Sequence, residues 1–209
     1  LSEHLGKLTD KQKERITIIK SSSETLLALI SDLLDAQKLE LGQLKIRKEN
    51  ANIKDTVTNA IKLFLPQAQK NKIELISNIQ DLSIEHDQER IKQVITNLIK
   101  NSLIAVEPEK GKIEISMKEL PQAMQISVKD NGMGIPMDKQ SNLFKKFYQV
   151  DATLTRERGG SGLGLSICKG ILENHGGAIT VKSIPKQETI FTFTLPKKAE
   201  SGKSPIGLA

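Results

Sequence analysis

Two asparagines, Asn97 and Asn101, stand four residues apart in a segment of helical periodicity, so their side chains share one helix edge. A neutral amide there can offer its carbonyl oxygen to Mg²⁺, a hard cation that keeps several waters and takes further ligands from phosphates. Each amide also fits a half-buried polar residue satisfied by backbone. A second cluster, Asp130-Asn131-Gly132-Met133-Gly134-Ile135-Pro136, follows an alternating strand pattern. Its carboxylate sits at a strand end, where it can accept a hydrogen bond from an amino group such as that of adenine. Its spaced glycines permit tight turns and close backbone approach. The same residues also suit an ordinary tight turn. A third cluster, Gly159-Gly160-Ser161-Gly162-Leu163-Gly164-Leu165-Ser166, leads at once into a helical pattern. Free backbone N–H groups and the positive end of a helix dipole make such a segment a phosphate cradle; the alternative is a flexible linker. It is neither a G-x-x-x-x-G-K-S/T loop nor a G-x-G-x-x-G turn after a strand.

The elements that must hold these clusters can be traced by periodicity. Residues 10–41 read as one long helix, with apolar positions at Ile16, Ile19, Leu26, Leu27, Ile30, Leu33, Leu34 and Leu41, and Gly42 as its stop. So broad a stripe on a single helix implies a partner helix, which a second chain can supply. Segments 44–53 and 72–79 suggest strands. Residues 54–69 have helical spacing, with Pro66 expected to kink or shorten the end. Residues 87–106 form a strong helix capped by Asp87. Strands follow at 112–118 and 124–129, then a helix at 163–174 and strands at 178–183 and 189–195. Strands and helices mix without regular βαβ alternation, which predicts an α+β fold: a mixed sheet with helices on one face, an α/β sandwich preceded by a long helix.

Composition narrows the partners. The 209 residues are 37% hydrophobic and 27% charged, the balance of a globular chain with a real core. Net charge is +6, yet the lysines are scattered and aromatic residues are only 3%, so nucleic acid is not the expected partner. An anionic nucleotide is simpler. No apolar run approaches the roughly 18 residues of a membrane span, and Leu1 to Lys13 does not read as a signal peptide. The single cysteine, Cys168, lies in an apolar stretch and is expected to be a small buried side chain. A lone cysteine fits a reducing, cytoplasmic compartment.

Taken together and in order, these clusters resemble the four boxes of the Bergerat-type ATPases, and specifically the sensor histidine kinases of two-component systems. Asn97 to Asn101 resembles the N box, Asp130 to Pro136 the first glycine box, Leu143 to Asp151 the F box, and Gly160 to Ile167 the second glycine box. His175-Gly176-Gly177 and Phe191 to Pro196 match the family's ending. Ser31 to Asp35 and Lys38 to Glu40 resemble the second helix of the dimerisation hairpin. The resemblance covers roughly residues 8–196 and implies three parts: a partial dimerisation helix at 1–43, a catalytic ATP-binding domain at 44–196, and a flexible tail at 197–209.

The resemblance also implies roles. Asn101 would ligate Mg²⁺, with Asn97 in support. Asp130 would read the adenine amino group, with Gly132, Gly134 and Ile135 closing on the base. Gly160, Gly162, Leu163, Gly164 and Leu165 would cradle phosphates. Residues 145–161, with Lys146, Phe147, Tyr148, Arg156 and Arg158, would be a lid over ATP. The intact protein would be a homodimer that binds ATP and ADP, transfers phosphate to a histidine and then to an Asp of a response regulator receiver domain. The phosphoacceptor box has His followed by an acidic residue, Arg and Pro; His4 is followed by Leu5-Gly6-Lys7 and does not match, so the acceptor is expected upstream of Leu1 and the fragment should not phosphorylate itself. The resemblance leaves the parent free to be membrane-attached, while this stretch is expected to make no membrane contact. His175 is expected to be structural, and His86 exposed. Three positions depart from the family: Ile104 and Ala105 where a basic and an aromatic residue are common, and Gln149 where Arg is common. They leave open a degenerate nucleotide-binding scaffold or sensor that transfers nothing. A chaperone, topoisomerase or mismatch-repair ATPase is disfavoured by the F box and the His-Gly-Gly ending.

Overall fold

A computed structural model describes residues 8–150 and 161–197. Helix α1 runs Asp10–Glu40. Thr9 caps it in a reciprocal box with Gln12. Gly42, at φ 63°, ends it: the Gly42 N–H donates to Leu39 O and the Gln43 N–H to Lys38 O, the two bonds of a Schellman stop. Strand β1 (Glu49–Asn52) leads directly into α2 (Ile53–Lys62), and α3 (Leu65–Lys70) follows. The expected single helix over 54–69 is therefore two. Pro66 does not terminate it but sits in the first turn of α3, where its missing N–H is harmless.

Strand β2 (Glu74–Asn78) and strand β3 (Ser83–His86) precede α4 (Gln88–Ala105), whose N-cap is Asp87. Then come β4 (Lys112–Glu119), β5 (Ala123–Asp130), a one-turn α5 (Met137–Gln140), α6 (Gly164–Asn174), β6 (Ala178–Ile184) and β7 (Glu188–Pro196). The main sheet has the order β2-β4-β5-β7-β6; only β2 and β4 are parallel. Strands β1 and β3 form a small antiparallel pair in which Glu49 faces His86 and Asn52 faces Ser83.

Period-2 alternation puts Ile113 and Ile115 of β4, Met124, Ile126 and Val128 of β5, and Phe191, Phe193 and Leu195 of β7 on one face, all nearly inaccessible. Against them pack Val57 and Ala60 of α2, Ile91, Val94, Ile95, Leu98 and Ile99 of α4, and Ile167, Ile171 and Leu172 of α6. The other face of β5 and β7 carries Gln125, Ser127, Thr192 and Thr194. This is the expected mixed sheet with helices on one face.

The C-terminal part of α1 is fastened to these helices. Buried Asp35 accepts from Arg90 Nη1 at 2.7 Å and from Gln93 Nε2 at 2.9 Å, both on α4. Gly170 of α6 lets Leu39 approach: a Cβ there would lie 2.6 Å from Leu39 Cδ2. Most of the stripe further up α1 (Ile16, Ile19, Leu26, Leu27, Ile30) stays exposed.

One expectation fails here. His86 is buried, not exposed. Alternation along β3 sends Ile84 and His86 inward, and the ring is paid for by two bonds, from Thr56 Oγ1 to Nε2 at 2.9 Å and from Nδ1 to Ile84 O at 3.0 Å. His175 is structural, as expected. Its Nδ1–H donates to Ile171 O at 2.8 Å and its Nε2 accepts the Asp87 N–H at 3.1 Å. Both partners are backbone groups of fixed polarity, so the ring is held as the neutral Nδ1–H tautomer with no lone pair free for attack. Burial accordingly holds its pKa below the ordinary histidine value.

Candidate functional site

The three clusters converge because the fold places a strand end, a helix edge and a helix start side by side. Asp130 is the last residue of β5 and continues its inward series, so the alternation that buries Met124, Ile126 and Val128 also buries a carboxylate, which is 2% exposed. Ser102 Oγ on α4 donates to its Oδ2 at 2.8 Å and the Gly132 N–H to its Oδ1 at 3.0 Å. Each oxygen thus accepts one bond and keeps a lone pair. Burial raises the Asp130 pKa above the usual carboxylate value, and the Ser102 and Gly132 bonds oppose that rise.

The loop after Asp130 is pressed onto the protein. Gly132 meets α4: a Cβ would lie 2.7 Å from the Ala105 carbonyl carbon and oxygen, and the Met133 N–H donates to Ala105 O at 3.1 Å. Gly134, at φ 67°, abuts the β6–β7 turn, where a Cβ would collide with Ile184 O and lie 2.7 Å from Pro185 Cα. The Ile135 N–H donates to Ser183 Oγ at 2.8 Å.

Asn97 and Asn101 look across from α4. Asn97 Nδ2 donates to Gly164 O at 3.2 Å, tying α4 to the first residue of α6. Gly164 is needed for that approach, since a Cβ would sit 2.7 Å from Asn97 Oδ1. Before it, Gly162 at φ 70° accepts the Phe147 N–H at 2.9 Å through its carbonyl, and its own Cβ would strike the Phe147 backbone at 2.8 Å.

Between these parts lies a cavity of about 430 Å³. Of the residues expected at the site, Asn97, Asn101, Asp130, Gly134, Ile135, Tyr148, Gly162, Gly164 and Leu165 line it. Gly132, Lys146, Phe147 and Leu163 do not. Gly132 serves the turn, Leu163 is buried in the core, Phe147 is exposed, and Lys146 pairs with Glu40 of α1. Arg156, Arg158 and Gly160 lie outside the described residues.

Several lining residues were not anticipated. Lys100, Met133, Leu143, Thr189 and Phe191 complete the walls. More notable are two turns of α1: Thr25, Ala28, Leu29 and Asp32. Asp32 accepts from Ser161 Oγ at 3.1 Å, and Ser161 Oγ in turn accepts the Leu163 N–H at 3.2 Å. Burial raises the Asp32 pKa, while Ser161 and Lys100 draw it down. The i, i+3, i+4, i+7 spacing of Thr25, Ala28, Leu29 and Asp32 was available as a signal, but their composition did not set them apart from the rest of the helix. Cys168 is fully buried behind α4, and burial pushes its thiol up to about 12.

A cavity with a buried strand-end carboxylate at one end, and a helix edge of amides beside a glycine-rich helix start at the other, defines the class: a two-layer α+β sandwich built to take a nucleotide between its sheet and its helices. Residues 86–199 match the family described as Histidine kinase-, DNA gyrase B-, and HSP90-like ATPase. Sensor histidine kinase WalK of Bacillus subtilis is 36% identical over 189 residues, covering 88% of this chain and 31% of WalK. Circadian input-output histidine kinase CikA of Synechococcus elongatus is 32% identical over 198 residues, covering 92% and 26%. Among solved structures, full-length ShkA in complex with AMPPNP superposes with a TM-score of 0.78 at 26% identity, covering 94% of this chain and 41% of ShkA. Histidine kinase ThkA in complex with the response regulator TrrA gives 0.71 at 27%, covering 96% and 55%. The chain belongs to this ATPase family and is a catalytic ATP-binding domain of the sensor histidine kinase kind. It spans about a quarter to a third of the length of these curated relatives. No helix among the described residues is long and apolar enough to cross a membrane.

Proposed function

We propose that this chain binds Mg-ATP in the cavity and supplies its γ-phosphoryl group to a histidine elsewhere in the intact protein, for relay to an Asp on a response regulator. The observation that carries this reading is the pairing of Asp130, buried with a free lone pair on each oxygen, with the amide edge of α4 across one cavity. Asp130 orients the base by accepting from its amino group. Met133, Ile135, Leu143 and Phe191 exclude water around it. Gly162 and Gly164 leave the start of α6 bare of side chains, so its dipole and backbone face the phosphates.

A magnesium ion suits the donor set. Among the described residues no group of three or more His, Cys, Asp or Glu could hold a metal alone. A cation shared with phosphates and waters needs only one or two protein oxygens, and Asn101 lines the cavity as one such donor. Bound with the nucleotide, the ion would neutralise charge on the phosphates. Asn97, held by Gly164, keeps the helix edge and the phosphate cradle in register.

The exposed stripe of α1 supports pairing with further helices in a homodimer, and the likeness to ThkA in complex with the response regulator TrrA supports a receiver-domain partner. A nucleotide-binding scaffold without transfer is the second reading, favoured by Ile104, Ala105 and Gln149 at the cavity wall. Supplying a phosphoacceptor helix of a sensor kinase in trans with γ-labelled Mg-ATP separates the two. Acid-labile label on that helix supports the kinase; saturable ATP binding with no label supports the scaffold.

A further inference from the structure

Ser102 lies beneath the cavity floor, 1% exposed, and its hydroxyl has one partner, Asp130 Oδ2 at 2.8 Å. The remaining neighbours of Asp130 give it no charge. Across the strands its register partners are Ile113 on β4 and Thr189 on β7, and its other bond is the Gly132 N–H. The only other titratable side chains among the described residues that line the cavity are Asp32, Lys100 and Tyr148. Among the described residues no cation bonds to Asp130; two neutral donors, the Ser102 hydroxyl and the Gly132 N–H, oppose the effect of its burial.

The ionisation state decides which purine fits. A carboxylate is acceptor-only and matches the 6-amino donor of adenine; it repels the 6-oxo acceptor of guanine. A protonated carboxyl carries an O–H donor and can serve the 6-oxo group. We infer that Ser102 is a positioning residue that sets base selectivity: by donating to Oδ2 it fixes Asp130 as an acceptor and so favours an adenine over a guanine nucleotide. Ser102, one residue beyond Asn101 on α4, reaches the strand end with its hydroxyl; a side chain without a donor there leaves Oδ2 buried and unbonded. This inference rests on the nucleotide reading above.

The sign follows from the direction of the shift. Burial raises the Asp130 pKa and Ser102 opposes the rise. Removing the hydroxyl raises it further, so the variant protonates at higher pH and loses the adenine match sooner as pH falls. The experiment is a titration of wild type, Ser102→Ala, Asp130→Asn and the double variant with Mg-ATP and Mg-GTP, over the range from about pH 8 down to about pH 5.5. For Ser102→Ala the acid limb of ATP affinity moves to higher pH, and at the acid end the ATP:GTP affinity ratio falls by about tenfold relative to wild type, the scale of one lost hydrogen bond to a charged group. Both effects vanish when Asp130→Asn is already present. A Ser102→Ala protein with the wild-type pH profile and ATP:GTP ratio overturns the inference, as does an effect that persists in the Asp130→Asn background. Wild type that binds neither nucleotide overturns the nucleotide reading itself. Should Ser102→Ala lose its cooperative thermal transition, Ser102→Cys, a weaker donor, carries the same comparison.

Discussion

Replacing Gly132 with alanine isolates how the turn after β5 holds its carboxylate. Gly132 is not in a left-handed conformation, so the substitution adds no backbone strain; it adds only volume. The new Cβ would lie 2.7 Å from the Ala105 carbonyl carbon and oxygen and 2.8 Å from the Ala105 Cβ. These are parts of α4, which cannot swing aside as a flexible side chain could, so the loop must move. Overpacking of this kind costs about 1–3 kcal/mol. Moving the loop also pulls the Gly132 N–H from Asp130 Oδ1, a bond to a charged group that contributes about 1.5–3 kcal/mol. The two overlap, because the same displacement relieves one and breaks the other, so the net loss is about 2–3 kcal/mol. For a chain of this size that lowers Tm by roughly 4–12 °C. Nucleotide affinity should fall by at least about tenfold, since Asp130 loses one of its two anchors. Gly42→Ala is the control. It adds left-handed strain at φ 63° with nothing within 4 Å, so it should destabilise α1 by about 1 kcal/mol and leave nucleotide affinity alone. Scanning calorimetry with Mg-ATP titration reads both. A Gly132→Ala protein that melts and binds as wild type would refute the reasoning.

Other consequences are as direct. Asp32 lines the cavity beside the glycine-rich segment, where triphosphate charge would lie, so Asp32→Asn should tighten Mg-ATP binding by roughly three- to tenfold, less at high salt; titration at two ionic strengths checks it. Arg90→Ala leaves buried Asp35 with only Gln93; because the Arg90 side chain is 25% exposed, the loss is discounted to about 2 kcal/mol, and hydrogen exchange should rise at 33–41 while the β5 and β7 amides stay protected. His175 is held neutral with a lowered pKa, so the unfolded chain takes up a proton that the folded chain refuses. Stability should therefore fall as pH drops below 6.5, and the wild-type slope in urea titrations should exceed that of His175→Asn over that window.

The parts of the fold that sequence reading recovered are those written in local periodicity. The 3.6-residue stripe of α4, its Asp87 cap and the alternation of β4, β5 and β7 sufficed to place Asn97 and Asn101 on one helix edge and Asp130 at a strand end. What escaped was non-local. Strand β3 is four residues long and half polar, and it exists because β1, more than thirty residues earlier, pairs with it; hence the burial of His86 was missed. Pro66 suits the first turn of a helix, but the break at Leu63 and Phe64 that makes it a start carries no Gly or second Pro to mark it. The glycines were read as freedom for a ligand, whereas Gly132 and Gly164 make room for Ala105 and Asn97. Asp32 and Ser161 are 129 residues apart, and nothing in either segment announces the other.

The claim at the centre is that one cavity, with Asp130 at its base end and Asn101 at its phosphate end, binds Mg-ATP. Calorimetric titration of the wild-type chain, Asp130→Asn and Asn101→Ala with ATP, each with and without Mg²⁺, tests it most directly. The account predicts one ATP per wild-type chain, an ATP affinity weakened by at least about tenfold in Asp130→Asn, and loss of the Mg²⁺-dependent gain in Asn101→Ala. Unchanged affinity and unchanged Mg²⁺ dependence in both variants would contradict it.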